Sequence, residues 1–141
     1  MKAYAIASVL VLTCTLTYGA QDGDNQKAEL KQTMRNFASA LELIQQGILY
    51  NKPDDMHKGA QLLDRNQKDF LEHHGNAIEM HMPDNPKFAR SYATFTAGKI
   101  RDYIDKLSGS LGGPRDYSNI ATYYTRILNE CVSCHQKVRQ W

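Results

Sequence analysis

The residues with the clearest chemical meaning in this 141-residue sequence form the segment Cys131-Val132-Ser133-Cys134-His135, close to the C-terminus. Residues three and four apart in a helix share a face, so both thiols and the imidazole can point at one flat object. Cys-x-x-Cys-His is the attachment motif of a c-type haem, in which two thioether links form and the histidine ligates the iron. The segment therefore predicts one covalently bound haem c, held by Cys131, Cys134 and His135.

Two other kinds of site use cysteines at this spacing. A zinc site needs four ligands and normally brings a second Cys or His pair, which the sequence does not offer. A thioredoxin-like redox pair belongs in a βαβ setting, and no strand-like alternation is present. Both alternatives stay open, but the motif favours haem.

The N-terminal segment is typical of a secretory signal peptide. A basic region at residues 1–2 precedes an apolar stretch over residues 3–17, which is too short for a spanning helix. Cleavage after residue 19 or 20 would remove residues 1–20 and leave one domain over residues 21–141. We therefore expect the protein in the periplasm, where haem of this type is attached.

Of the three cysteines, only Cys14 lies outside the haem motif, within the apolar part of the signal peptide. Because Thr13 is an unusual residue before a lipid-modified cysteine, we do not expect a lipid anchor at Cys14. Seventeen Lys and Arg nearly balance fifteen Asp and Glu. This near-neutral charge gives no indication of a nucleic-acid partner.

Apolar residues recur at helical spacing through the rest of the chain. Residues 21–26 are polar and expected to fray. A first helix then reaches about Tyr50 and ends before Pro53. The apolar face of this helix consists of Leu30, Met34, Phe37, Leu41, Ile44 and Ile48.

Pro53 can open a second helix that reaches about His74, with Gly75 as its C-cap. Residues 75–86 form a connector to a third helix, with Asn85 as N-cap. The apolar face of that helix consists of Ala89, Ala93, Thr96, Ile100, Tyr103 and Leu107.

Residues 108–114 are glycine-rich and break the chain before a last helix over residues 116–139. Its apolar face includes Ile127, Cys131 and Cys134, so the haem thiols face the core. Four amphipathic helices with short connections predict an all-α fold, an antiparallel four-helix bundle that encloses the haem.

A cluster of possible ligands surrounds the second connector: His73, His74, Met80, His81 and Met82. A copper site is conceivable from these residue types, but their spacing matches no compact motif. We expect a solvated loop. A histidine from this cluster could ligate the iron only if the connector folded over the haem edge.

A haem motif near the C-terminus of a four-helix bundle resembles the cytochrome c prime family. The residues after the motif, Gln136-Lys137-Val138-Arg139, and the turn Asn51-Lys52-Pro53-Asp54-Asp55 are also similar to those of the family. The resemblance implies a periplasmic electron carrier that cycles between Fe(III) and Fe(II), works with redox partner proteins and is not an enzyme. Family members also commonly form homodimers through their first two helices.

The family divides on the residue of the first helix that faces the iron, and this place falls on Met34. The resemblance implies that Met34 is the second iron ligand, as in the methionine-ligated low-spin branch; otherwise a methionine on a core face is a packing residue. The family's arginine near the haem propionates is replaced here by Leu30, with Lys31 beside it. The alternative function is a high-spin haem protein that binds or senses NO or CO, and a peroxidase ranks last.

Overall fold

The structure, a computed structural model, describes residues 16–114 and 116–139, with side chains from residue 22. The described residues form five α-helices and no strand: α1 (Leu16–Leu49), α2 (Pro53–His73), α3 (Gly75–Glu79), α4 (Pro86–Leu111) and α5 (Tyr117–Val138). The all-α prediction is confirmed for these residues, and the arrangement is consistent with a helical bundle. None of the described helices is long and apolar enough to cross a membrane.

The predicted signal peptide lies mostly outside the described residues, and so does Cys14. The last part of the predicted signal peptide, from residue 16, belongs to α1. Residues 21–26, which were expected to fray, are also helical in the structure. One reason is the hydrogen bond that Gln26 Nε2 donates to Asp22 Oδ2, one turn earlier, at 3.2 Å.

The turn between α1 and α2 follows from two residue types. Asn51 adopts a left-handed conformation (φ 51°), which asparagine tolerates better than most residues. The Lys52 N–H then donates to the Gly47 carbonyl oxygen at 2.9 Å and closes the helix end. Pro53 occupies the first turn of α2, where its missing N–H costs no hydrogen bond.

Side-chain caps start the two helices that follow the loops. Asn85 Oδ1 accepts a hydrogen bond from the Phe88 N–H at 3.3 Å, and Asp116 Oδ1 accepts one from the Asn119 N–H at 3.0 Å. These caps satisfy N–H groups that a helix cannot satisfy internally. The predicted starts of α4 and α5 are therefore confirmed.

Two predicted breaks are wrong. Gly75 does not cap α2; His74 does, and Gly75 begins α3, which is anchored by the buried Ala77 and Ile78. The chain also stays helical from residue 108 to Leu111. Leu111 is only 4% exposed, so its burial in the core extends α4 through a sequence rich in glycine and serine.

The helices bury their predicted apolar faces in two core clusters. α1 packs along α2, α4 packs along α5, and α2 also contacts α4. The first core cluster consists of Ala40, Leu41, Ile44, Met56, Ala60, Leu63, Ile100, Ile104, Leu107, Leu111, Ile120 and Ile127. The second core cluster consists of Leu30, Phe70, Ala77, Ile78, Ala89, Ala93, Ala97 and Val138.

The contact between α1 and α2 depends on a glycine. A Cβ atom at Gly59 would lie 2.6 Å from Cγ1 of Ile44 and 2.7 Å from the carbonyl oxygen of Ala40. Real Cβ contacts are longer, so a side chain at this position would force the helices apart. Gly59 therefore sets the close approach of α1 and α2 beside the first core cluster.

Candidate functional site

Two adjoining cavities lie between the helices, where residues of the first and second core clusters meet. The inner cavity has a volume of about 170 Å³ and the outer cavity about 390 Å³. They share Met34, Phe70, Cys134 and His135 in their walls. Protein interiors contain few voids larger than a water molecule, whereas ligand pockets measure roughly 300–1,000 Å³. The helices therefore leave room for a molecule.

The inner cavity is almost wholly apolar. Phe37, Leu41 and Ile100 line it, and the small side chains of Ala93 and Ala97 on α4 widen it. Its one buried amide, Gln67, is satisfied, because Gln67 Nε2 donates to the Ala97 carbonyl oxygen at 2.6 Å. An apolar ligand matches this lining, because the cavity walls are apolar and the Gln67 amide donor is already paired.

The three residues of the haem motif line the cavities from α5. Cys131 lines the inner cavity, and Cys134 and His135 line both. All three side chains are half-buried, while Val132, between the cysteines, is 46% exposed. The helix thus brings the predicted thiols and imidazole to one wall, as their spacing of three and four residues requires.

The surroundings of the two thiols raise their pKa values. Burial raises the pKa of the Cys131 thiol to about 11, and the neighbouring Cys134 adds to the effect. Burial, and then Glu130, also raises the pKa of Cys134. The thiols are therefore largely protonated at neutral pH, and a protonated thiol is a poor nucleophile for disulfide exchange.

The pKa of His135 shifts downward, opposite to the pKa shifts of the two thiols. Burial lowers the pKa of His135, and the positive charge of Arg139, one turn later, lowers it further. The imidazole is therefore neutral at neutral pH. Neutral imidazole is the form that ligates a metal ion.

Met34 faces the same cavities from α1. It is half-buried, packs against the second core cluster and lines both cavities together with His135. Leu30, one turn earlier, is buried in the second core cluster. The structure thus brings together all four predicted site residues, Met34, Cys131, Cys134 and His135, around one space.

The outer cavity has a basic wall that the sequence reasoning missed. Lys31, Arg35, His81 and Arg139 line it, from α1, the α3–α4 connector and the end of α5. Burial lowers the pKa of His81, and Arg139, Lys27 and Lys31 lower it further. The step of four residues from Lys31 to Arg35, beside Met34, was the one signal in the sequence for this wall.

The expected solvated loop around the second connector is only partly correct. His73 and Met80 are exposed, but His74 is 4% exposed, and its Nε2 lies 2.9 Å from Thr33 Oγ1. His81 lines the outer cavity. The difference arises because α3 packs against α1 and α4 and carries the connector with it.

Residues 16–114 and 116–139 contain no group of three or more His, Cys, Asp or Glu side chains placed to hold a metal ion.

No family model, curated protein or solved structure matches the chain. The resemblance to the cytochrome c prime family therefore stays a prediction.

Proposed function

We propose that the protein is a periplasmic monohaem c-type cytochrome that carries electrons between redox partner proteins. The observation that carries this proposal is the meeting of Cys131, Cys134, His135 and Met34 in the walls of one pair of cavities. When bound, haem c supplies a one-electron Fe(III)/Fe(II) couple. The protein transforms no substrate in this role, so we do not propose an enzyme.

Different residues of the chain would bind different parts of the cofactor. Cys131 and Cys134 would form the thioether links from α5, and the neutral imidazole of His135 would ligate the iron. Met34 would offer its thioether from α1 as the second ligand, which raises the potential of a haem relative to weaker ligation. The apolar side chains of Phe37 and Leu41 would keep water from the cofactor.

Ligands on two packed helices also suit electron transfer, which works best when the ligand set changes little between oxidation states. Met34 follows Thr33, whose hydroxyl lies 2.9 Å from Nε2 of the buried His74 and 3.3 Å from Asp69 Oδ2. These hydrogen bonds hold α1 to the end of α2 at the residue next to the proposed ligand. They would therefore limit movement of Met34 when the iron changes charge.

We also propose the finer fold, an antiparallel four-helix bundle around the haem. Along α1, the residue number falls from Leu41 at the inner cavity to Lys31 at the outer cavity. Along α5, it rises from Cys131 to Arg139 in the same direction. This opposite order supports an antiparallel placement of α1 and α5, with the haem between them. Dimerisation through α1 and α2 stays a prediction.

The alternative function is binding or sensing of NO or CO by a high-spin haem. This function would apply if Met34 only packs against the second core cluster and does not ligate the iron. A ligand that is displaced easily leaves the iron open to a diatomic gas. The spin state of the purified protein separates the two functions.

The test is expression of the full chain in a bacterium that attaches c-type haem in its periplasm. Haem that stays with the polypeptide in a denaturing gel, with a low-spin spectrum and a methionine–iron band near the red end, is the expected result. Ser133→Ala is the matched control, since Ser133 lies inside the motif but does not line either cavity. A wild-type chain without bound haem would refute the proposal, and a high-spin spectrum would replace electron transfer by gas binding.

A further inference from the structure

We propose that Lys31, Arg35, His81 and Arg139 form a carboxylate-binding site at the outer cavity, and that it holds the two propionate groups of the porphyrin. The inference rests on the proposed haem and assigns the direction in which the cofactor lies. It gives a role to a connector histidine and to three cations that the haem motif does not include.

The outer cavity combines an apolar floor with a basic wall. Leu30, Phe70 and Val138 are buried beneath it, and no Asp or Glu is found among the described residues that line it. The cationic side chains come from separate parts of the chain, so their convergence is a property of the fold. A molecule that is apolar over most of its surface and anionic at one edge matches this lining.

The four side chains offer suitable donors. Arginine presents a planar fork that binds a carboxylate through two parallel hydrogen bonds, and lysine supplies a compact charge. Arg35 already uses this fork on a neutral acceptor, donating from Nε and Nη2 to Gln32 Oε1 at 3.2 and 2.6 Å. A carboxylate is a stronger acceptor than that amide oxygen, because the bond is then charge-assisted on both sides.

The order of residues along α5 sets the direction. Cys131 lines only the inner cavity, Cys134 and His135 line both, and Arg139 lines only the outer cavity. Cys131 and Arg139 are therefore separated by about 12 Å at 1.5 Å per residue. Since the thiols join the vinyl groups, the carboxylate edge falls at the end of the cavity that carries Arg139.

The position of His81 indicates a contact with the edge of the porphyrin rather than ligation of the iron. Met34 and His135 line both cavities and so face the middle of the space, whereas His81 lines only the outer one. His81 follows α3, and its N–H donates to the Ile78 carbonyl oxygen at 3.1 Å. Because Ile78 is buried in the second core cluster, this turn holds His81 at the outer end.

The test uses the holoprotein and four variants. Lys31→Gln, Arg35→Gln and Arg139→Gln each remove a positive charge, and His81→Gln removes an imidazole. The control is Lys58→Gln, an exposed lysine on α2 that lines neither cavity. We expect each of the four to shift the propionate bending bands in the resonance Raman spectrum. The three that remove a cation, Lys31→Gln, Arg35→Gln and Arg139→Gln, should also lower the reduction potential. The potential falls because a nearby positive charge favours the Fe(II) state. Arg35→Lys, which keeps the charge, should restore most of the potential.

The outcomes distinguish this inference from the proposed function. If haem remains attached but the four variants behave like Lys58→Gln, the carboxylate site is wrong and the cytochrome proposal stands. If His81→Gln changes the spin state and leaves the propionate bands in place, His81 is an iron ligand and its assignment here is overturned. A wild-type chain that attaches no haem overturns both.

Discussion

The double variant Cys131→Ala/Cys134→Ala tests the link between the haem motif and the stability of the bundle. It removes both thioether links, so haem can leave and the cavities lose their proposed content. An enclosed apolar void costs about 24 cal/mol per Å³. The inner cavity of about 170 Å³ is partly open to solvent, so this figure gives an upper limit of about 4 kcal/mol. The outer cavity admits water at its basic wall, so it adds less to this free-energy cost. Domains are stable by about 5–15 kcal/mol, so this loss is a large share of the total.

The assay has two parts. Extraction with acidified ketone should strip haem from the double variant but not from the wild type, as shown by a haem-stained denaturing gel. Urea unfolding, followed by circular dichroism, should then show a midpoint lower by up to about 2 M, if the slope is about 2 kcal/mol per M. Ser133→Ala should retain its haem and have the same urea midpoint as the wild type.

Two results would refute this reasoning. Haem that survives extraction and denaturation in the double variant would mean that these cysteines are not its covalent anchors. A stripped double variant as stable as the wild-type holoprotein would mean that the cavities are not voids which a cofactor fills.

Three further variants test individual features. Met34→Leu should cost less than about 1.5 kcal/mol, because the swap nearly conserves volume, yet it should turn a low-spin spectrum high-spin and let CO bind the reduced protein. An unchanged spectrum would mean that Met34 only packs. The control for the histidine cluster is His73→Ala, since His73 is exposed and lines neither cavity. Gly59→Ala should lower the free energy of unfolding by about 1–3 kcal/mol, since its Cβ would meet the Ala40 carbonyl oxygen at 2.7 Å; calorimetry of a variant as stable as the wild type would contradict the close helix approach. Asp116→Ala should cost about 1 kcal/mol through loss of the α5 cap, with no change in the visible spectrum.

Most of the fold could be predicted because local rules and core packing agree. The apolar face of α1 recurs every three or four residues, and its members Leu30, Leu41 and Ile44 are buried. Asn85 caps α4 as its side chain predicts. Asp116 caps α5, for which only the approximate start of the helix was predicted. In these places the local signal and the core contacts favour the same conformation.

The wrong predictions fall where tertiary contacts override a local signal. Gly75 indicated a helix end, but burial of Ile78 starts α3 there. The glycines and serines after residue 108 indicated a break, but burial of Leu111 continues the helix. Such contacts join distant parts of the chain, so no short window of sequence contains them.

Some residues of the candidate site could likewise be predicted from local sequence, whereas others come together only through tertiary contacts. Cys131, Cys134 and His135 form a local motif, so their common wall could be predicted from spacing. Arg35 and His81 meet only because α3 carries the connector against α1. The haem itself and the ligation by Met34 stay predictions.

The position of α5 in the chain has a consequence for assembly. A polypeptide leaves the ribosome N-terminus first, and the segments of α1, α2 and α4 that line the cavities all precede Cys131 in the chain. The helix with the thiols is therefore the last wall of the cavities to be made. In an exported chain, the other three wall segments are all present when the proposed haem would be attached to α5.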